Sequence, residues 1–224
     1  MRLVLANPNA TAAITEACAT LARAVAAPGT EIVPWTNREG PPVVDGMVSD
    51  YQAGGPLVRG MLELAPRPDA IVLGGFGNYG TGAVKEALDL PVVNMAEAAM
   101  AVAIPLCHRF AIISTSPRMV AYTENVVLAF GFAGRCATVR AVPLPPLDAP
   151  APPDAEIVER LAAEAEQAHV SAGADLVILG GARLSPYAAG LRRRTLLTVI
   201  EPVACAVTMA EALVRIGLRP SKAL

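Results

Sequence analysis

The chain has 224 residues, 54% of them apolar and 17% charged. That is enough to bury a core in one compact domain or two small ones, and it excludes a disordered chain. Eighteen Lys and Arg against 20 Asp and Glu leave a formal charge of −2, so no basic excess is available for a polyphosphate and nucleic acid is not an expected partner. The basic run Arg192-Arg193-Arg194 reads as a helix C-terminus.

The apolar stretch from Ala98 to Cys107 is about ten residues long and contains Pro105, whereas a membrane span needs roughly 18. The start of the chain, one basic residue and a four-residue apolar run before Asn7-Pro8-Asn9, is too short for a secretory signal. Cys18, Cys107, Cys136 and Cys205 form no CxxC pair, and there are two histidines, His108 and His169. A reduced, cytoplasmic, metal-free protein is expected.

In chain order, β runs are predicted at Leu3 to Ala6, Glu31 to Trp35, Ala70 to Leu73, Pro91 to Val93, Phe110 to Ile113, Ala137 to Val142, Leu176 to Leu179 and Leu197 to Ile200. Several are continuously apolar, as in strands buried on both faces of a parallel sheet. Helical spacing separates them, most clearly at Ala10 to Ala26, Asp154 to Ala172 and Val203 to Ile216. Alternation of this kind predicts an α/β fold.

The pattern repeats. Asn7 and Thr115, Ile32 and Val139, Leu73-Gly74-Gly75 and Leu179-Gly180-Gly181, and Val92-Val93-Asn94 and Val199-Ile200-Glu201 lie 106 to 108 residues apart. The prediction is two similar halves, each a four-stranded parallel sheet flanked by helices, with a site in the cleft between them. The first half takes residues 1–98 and 208–224, the second 99–207. The Pro-rich run Pro143 to Pro153 is expected as an extended surface loop of the second half.

Ligands of open parallel sheets bind beyond the carboxyl ends of the strands. There the chain carries Asn7-Pro8-Asn9-Ala10-Thr11, Gly74-Gly75-Phe76-Gly77-Asn78-Tyr79-Gly80, Ser114-Thr115-Ser116-Pro117 and Gly180-Gly181-Ala182-Arg183-Leu184-Ser185. Such loops serve equally as turns and helix caps, or as backbone nests for a small anion. No dinucleotide fingerprint or P-loop lysine is present.

These stretches, with Ala27-Pro28-Gly29-Thr30-Glu31-Ile32, Lys85-Glu86-Ala87, Pro91-Val92-Val93, Glu97-Ala98-Ala99, Arg109 to Thr115, Ala174 to Ala182 and Val199 to Ala204, resemble the aspartate/glutamate/hydantoin racemase superfamily, its hydantoin racemase branch above all. The resemblance implies two pseudo-symmetric halves and a cofactor-free site. It also implies a pair of cysteines, one per half, that remove and return an α-proton on opposite faces of the substrate. Those cysteine positions align with Gly75 and Gly181, so both thiols are missing.

Asn7, Phe76, Gly77, Asn78, Thr115, Ser116 and Ala182 remain as candidate substrate-binding residues. Tyr79 stands where hydantoin racemases tend to have proline, Arg183 where the family has a small residue, and Glu201 where relatives carry Asp; these three are the candidate catalytic side chains. Asp50, Tyr51 and Tyr187 are further candidates on loops, and Cys205, near a helix start, is the one thiol weighed for catalysis. Three readings stay open: a thiol-free enzyme acting on a hydantoin-like ureide or small carboxylate through an enolate-like intermediate, with a lyase, hydrolytic or isomerase outcome; a racemase using non-cysteine groups; and a non-catalytic small-molecule binder. A homo-oligomer is expected.

Overall fold

The computed structural model describes residues 1–145 and 154–221. Most of the Pro-rich run, Leu147 to Pro153 with Pro146, lies outside the described residues. Among the described residues eight strands alternate with helices. No helix among the described residues is long and apolar enough to cross a membrane.

By contacts the chain divides into a unit of Met1–Ala98 with Val203–Leu224, and a unit of Ala99–Pro202. In the first unit β1 (Arg2–Asn7), β2 (Glu31–Thr36), β3 (Ala70–Leu73) and β4 (Val92–Asn94) form one parallel sheet in the order β2-β1-β3-β4. In the second, β5 (Phe110–Ser114), β6 (Cys136–Ala141), β7 (Leu176–Leu179) and β8 (Thr198–Ile200) form the other, in the order β6-β5-β7-β8. The helices are α1 (Ala12–Val25), α2 (Met47–Leu62), α3 (Thr81–Ala87), α4 (Met95–Ala103), α5 (Met119–Ala129), α6 (Asp154–Ala172), α7 (Ala188–Arg192) and α8 (Pro202–Arg215). A short 3-10 helix spans Ala182–Tyr187.

The repeat extends into the cores. In the first unit Val4, Ala6, Ile71, Leu73 and Val92 pack with Ala53, Leu57 and Met61 of α2. In the second, Ala111, Ile113, Val177, Leu179 and Val199 pack with Ile157, Leu161, Ala165 and Ala168 of α6. Alternate strand residues face one side, and helix residues four apart share a stripe, so each half builds the same layer from matched positions.

A polar clamp repeats as well. The Asp69 carboxylate accepts from the Arg2 backbone N–H (2.6 Å), and Asp175 accepts from the N–H groups of His108 (2.9 Å) and Arg109 (3.0 Å). The guanidinium groups of Arg2 and Arg109 donate to the carbonyls of Pro66 and Ala172. In α8, Glu211 is buried and accepts from the Ala27 N–H (2.8 Å) and the Thr30 hydroxyl (2.6 Å), which fixes this helix to the first unit.

Two expectations shift. The fifth strand runs to Ser114, one residue beyond the predicted Ile113, and past it the Val142 N–H still pairs with the Ser114 carbonyl and the Leu144 N–H with that of Thr115. Asp50 and Tyr51 lie in α2, and Tyr187 closes the 3-10 helix, so none of the three is on a loop. The stripe Ala53, Leu57, Met61 carries α2 through Gly54, Gly55 and Pro56, residues that weaken a helix in isolation.

Candidate active site

At the end of β1, Asn7 is buried and its carboxamide is engaged locally. The amide donates to Asn9 Oδ1 (3.0 Å) and Thr15 Oγ1 (2.9 Å), with a longer contact to the Thr11 carbonyl (3.3 Å), while its oxygen accepts from the Asn9 N–H (3.2 Å). Beside it the buried Asn37 donates to the carbonyls of Pro8 (2.9 Å) and Ala53 (3.1 Å). Asn7 thus shapes the turn into α1, and Asn9, Thr15 and Asn37 complete a buried polar knot, of which sequence reasoning did not single out Thr15 and Asn37.

At the end of β3, Gly74 N–H donates to the Ala6 carbonyl (2.8 Å), holding the loop against β1. Gly75 then turns the chain with φ +84°, a conformation that excludes most side chains. The space a side chain would take is filled: a Cβ at Gly75 would stand 2.6 Å from the Tyr79 hydroxyl oxygen. Tyr79 is 4% exposed, its ring packs in the core of the first unit, and its own backbone is left-handed with φ +48°. The N–H of Tyr79 donates to Asp50 Oδ1 at 2.7 Å. Gly75, Tyr79 and Asp50 therefore form one assembly, whereas Tyr51 is 79% exposed and takes no part.

The buried Phe76 and Gly77 continue the loop. Asn94 at the end of β4 donates to the Gly77 carbonyl (2.8 Å) and to Thr81 Oγ1 (2.9 Å), and Thr81 Oγ1 donates to the Asn78 carbonyl. Nearby, Lys85 and Glu97 form an ion pair through both carboxylate oxygens (2.7 and 2.6 Å), tying α3 to α4.

In the second unit Gly181 has φ +152°. Here the side-chain space is open, since a Cβ would meet only Thr115 Cγ2, at 3.8 Å. Ser116 begins the turn into α5, its carbonyl accepting from the Met119 N–H (3.0 Å). Ala182 and Arg183 follow Gly181 in the 3-10 helix. Arg183 donates to the Pro145 carbonyl (2.6 Å), and burial lowers its pKa against the opposing influence of Tyr187. Tyr187 is in turn raised by burial and by Asp154, with Arg183 working the other way.

At the end of β8, Glu201 Oε1 accepts from the buried Ser185 hydroxyl at 2.5 Å. This pair is the counterpart of Asn94 and Thr81 with the polarity reversed: an amide donates to a hydroxyl in the first unit, and a hydroxyl donates to a carboxylate in the second. Ser185 closes the loop noted in the sequence, and its contact with Glu201 makes it a functional candidate.

None of the cysteines lies in these loops. Cys18 is buried in α1, and Cys205 is half-buried in α8. Cys107 donates to the Ala103 carbonyl (3.2 Å) before β5, and Cys136 opens β6. Burial raises the Cys107 pKa and pushes that of Cys136 to about 11.

The Asp/Glu/Hydantoin racemase profile matches residues 3–210. The chain belongs to this racemase family. Over its whole length it is 36% identical to a hydantoin racemase of Paenarthrobacter aurescens, of which the match covers 95%. It is 34% identical over 99% of its length to a hydantoin racemase of Rhizobium meliloti, of which 92% is covered. Among racemase structures, the allantoin racemase of Pseudomonas fluorescens superposes with a TM-score of 0.89 at 34% identity, covering 100% of this chain and 94% of that one. Arylmalonate decarboxylase shares the fold, with a TM-score of 0.68 at 16% identity over 98% of this chain and 96% of the other.

Proposed function

We propose that this racemase-family chain is a cofactor-independent cytoplasmic enzyme that acts on a hydantoin-like cyclic ureide, or a small carboxylate of similar size, through an enolate-like intermediate and without catalytic thiols. The observation that carries this reading is the pair Gly75 and Gly181, both at positive φ just beyond β3 and β7, in a chain similar end to end to proteins named hydantoin and allantoin racemases.

The chemistry follows from the substrate class. In a 5-substituted hydantoin the ring C–H sits beside a carbonyl, so its loss moves charge onto oxygen. Preorganised donors lower the cost of that charge. The N–H groups of Phe76, Gly77, Ala182 and Arg183 supply donors in this reading, with Asn78, Thr115 and Ser116 contributing polar edges. Arg183 has five N–H donors, of which Pro145 engages one nitrogen; the rest suit a carboxylate or ureide oxygen. Glu201, oriented by Ser185, is a candidate base.

The test is incorporation of deuterium at the α-carbon of allantoin and of enantiopure 5-substituted hydantoins in heavy water, followed by NMR beside polarimetry and mass. Enzyme-dependent exchange is expected. Decay of rotation with no ring opening assigns an isomerase, and a change in mass beyond deuterium assigns a lyase or hydrolase. Saturable binding without exchange or turnover contradicts the enzymatic reading in favour of a small-molecule binder.

A further inference from the structure

We infer that Tyr79 is the proton-transfer residue of the first unit, its hydroxyl occupying the room left by the absent side chain at Gly75. The inference rests on the thiol-free reading above and names the group that replaces one thiol.

Three observations converge. The phenolic oxygen lies 2.6 Å from where a Cβ of residue 75 would stand, so one atom of Tyr79 fills the side-chain space of another position in the loop. That placement requires a backbone that a bulky residue seldom adopts, φ +48° at Tyr79. Conformations of this kind persist where the surroundings enforce them, often at functional sites. The enforcement is visible: Asp50 on α2 accepts the Tyr79 N–H at 2.7 Å, and the ring is packed in the core with its hydroxyl beside Gly75.

Gly75 and Tyr79 therefore form one unit. The phenol stands on this side of the loop only because residue 75 has no side chain, and a thiol returned at 75 would collide with it.

The step balances as a proton exchange. The Tyr79 hydroxyl first loses its proton to water. The phenolate oxygen then takes the α-hydrogen of the ureide, and the C–H electron pair moves into the ring carbonyl as the enolate. The new O–H exchanges with solvent and returns a proton to the carbon, restoring the phenolate. Asp50 acts as a positioning residue through the Tyr79 backbone.

Tyr79→Phe is the direct test, since it keeps the ring and removes one oxygen. Deuterium exchange at the α-carbon of a 5-substituted hydantoin should fall by about 100-fold or more, the usual scale of a lost acid–base group, while hydantoin affinity by calorimetry changes little. The pH–rate profile of the unaltered chain should rise with pH through a tyrosine-like ionisation, and that limb should vanish in Tyr79→Phe. This second readout is insensitive to packing. Exchange within about threefold of the unaltered chain in a folded Tyr79→Phe protein, or a pH profile without that limb in the unaltered chain, overturns the inference and leaves the thiol-free reading standing. No exchange by the unaltered chain on any ureide overturns both.

Discussion

The Asp50 carboxylate accepts the backbone N–H of Tyr79 at 2.7 Å, joining the first turns of α2 to the loop after β3. Tyr79 holds φ +48° at that point, so the bond acts on the most constrained residue of the loop. Asp50→Ala removes the acceptor and should cost about 1–3 kcal/mol. The loss should appear in urea denaturation, together with weaker ureide exchange. Asp50→Asn, which keeps an acceptor oxygen, should recover part of both.

Gly75 and Gly181 should respond differently to alanine. Both substitutions impose a backbone cost of about 1–3 kcal/mol. At Gly75 the new Cβ also meets the Tyr79 hydroxyl at 2.6 Å, whereas at Gly181 the nearest atom is 3.8 Å away. Gly75→Ala should therefore couple to Tyr79→Phe by about 0.5 kcal/mol or more, with the double variant more stable than the sum of the singles implies. Gly181→Ala with Thr115→Ser should be additive within about 0.5 kcal/mol. A double-mutant cycle in urea measures both.

The hydrogen bond from Ser185 to Glu201 involves a carboxylate, and its counterpart from Asn94 to Thr81 is between neutral groups. Bonds to charged acceptors contribute roughly twice as much. The coupling energy of Ser185→Ala with Glu201→Gln should reach about 1.5–3 kcal/mol, and that of Thr81→Ala with Asn94→Ala about 0.5–1.5 kcal/mol, both read from chemical denaturation.

Burial pushes the Cys136 thiol to about 11. A raised folded-state value means that the folded chain holds the proton while the unfolded chain releases it. Stability is therefore unaffected at neutral pH and falls as pH rises from about 9 toward about 11. Because the thiolate is the reactive form, Cys136 should alkylate more slowly than a free thiol at pH 8. Peptide mapping after a timed iodoacetamide pulse measures the rate. Cys136→Ala should flatten the alkaline decline.

Much of the fold was legible because the strands are short apolar runs at matched spacing. Ala70 to Leu73 and Leu176 to Leu179 are found at the predicted limits. The helical path of α2 was hidden by Gly54, Gly55 and Pro56, which mask a stripe of buried residues four apart. Of the candidate site, the strand-end loops were readable from their glycines and polar residues. The contacts were not. The meeting of Tyr79 with Gly75 depends on a backbone angle that its residue type disfavours, and that of Arg183 with Pro145 spans 38 residues. Asn7 looked available in one dimension, but its carboxamide turns inward because the donors and acceptors of its own turn lie closer.

The most direct measurement concerns the thiols. A chain with Cys18, Cys107, Cys136 and Cys205 all replaced by alanine or serine, shown to be folded by circular dichroism, should exchange the α-hydrogen of allantoin or a 5-substituted hydantoin at a rate close to that of the unaltered chain. A folded cysteine-free chain that has lost exchange while the unaltered chain retains it would contradict the account.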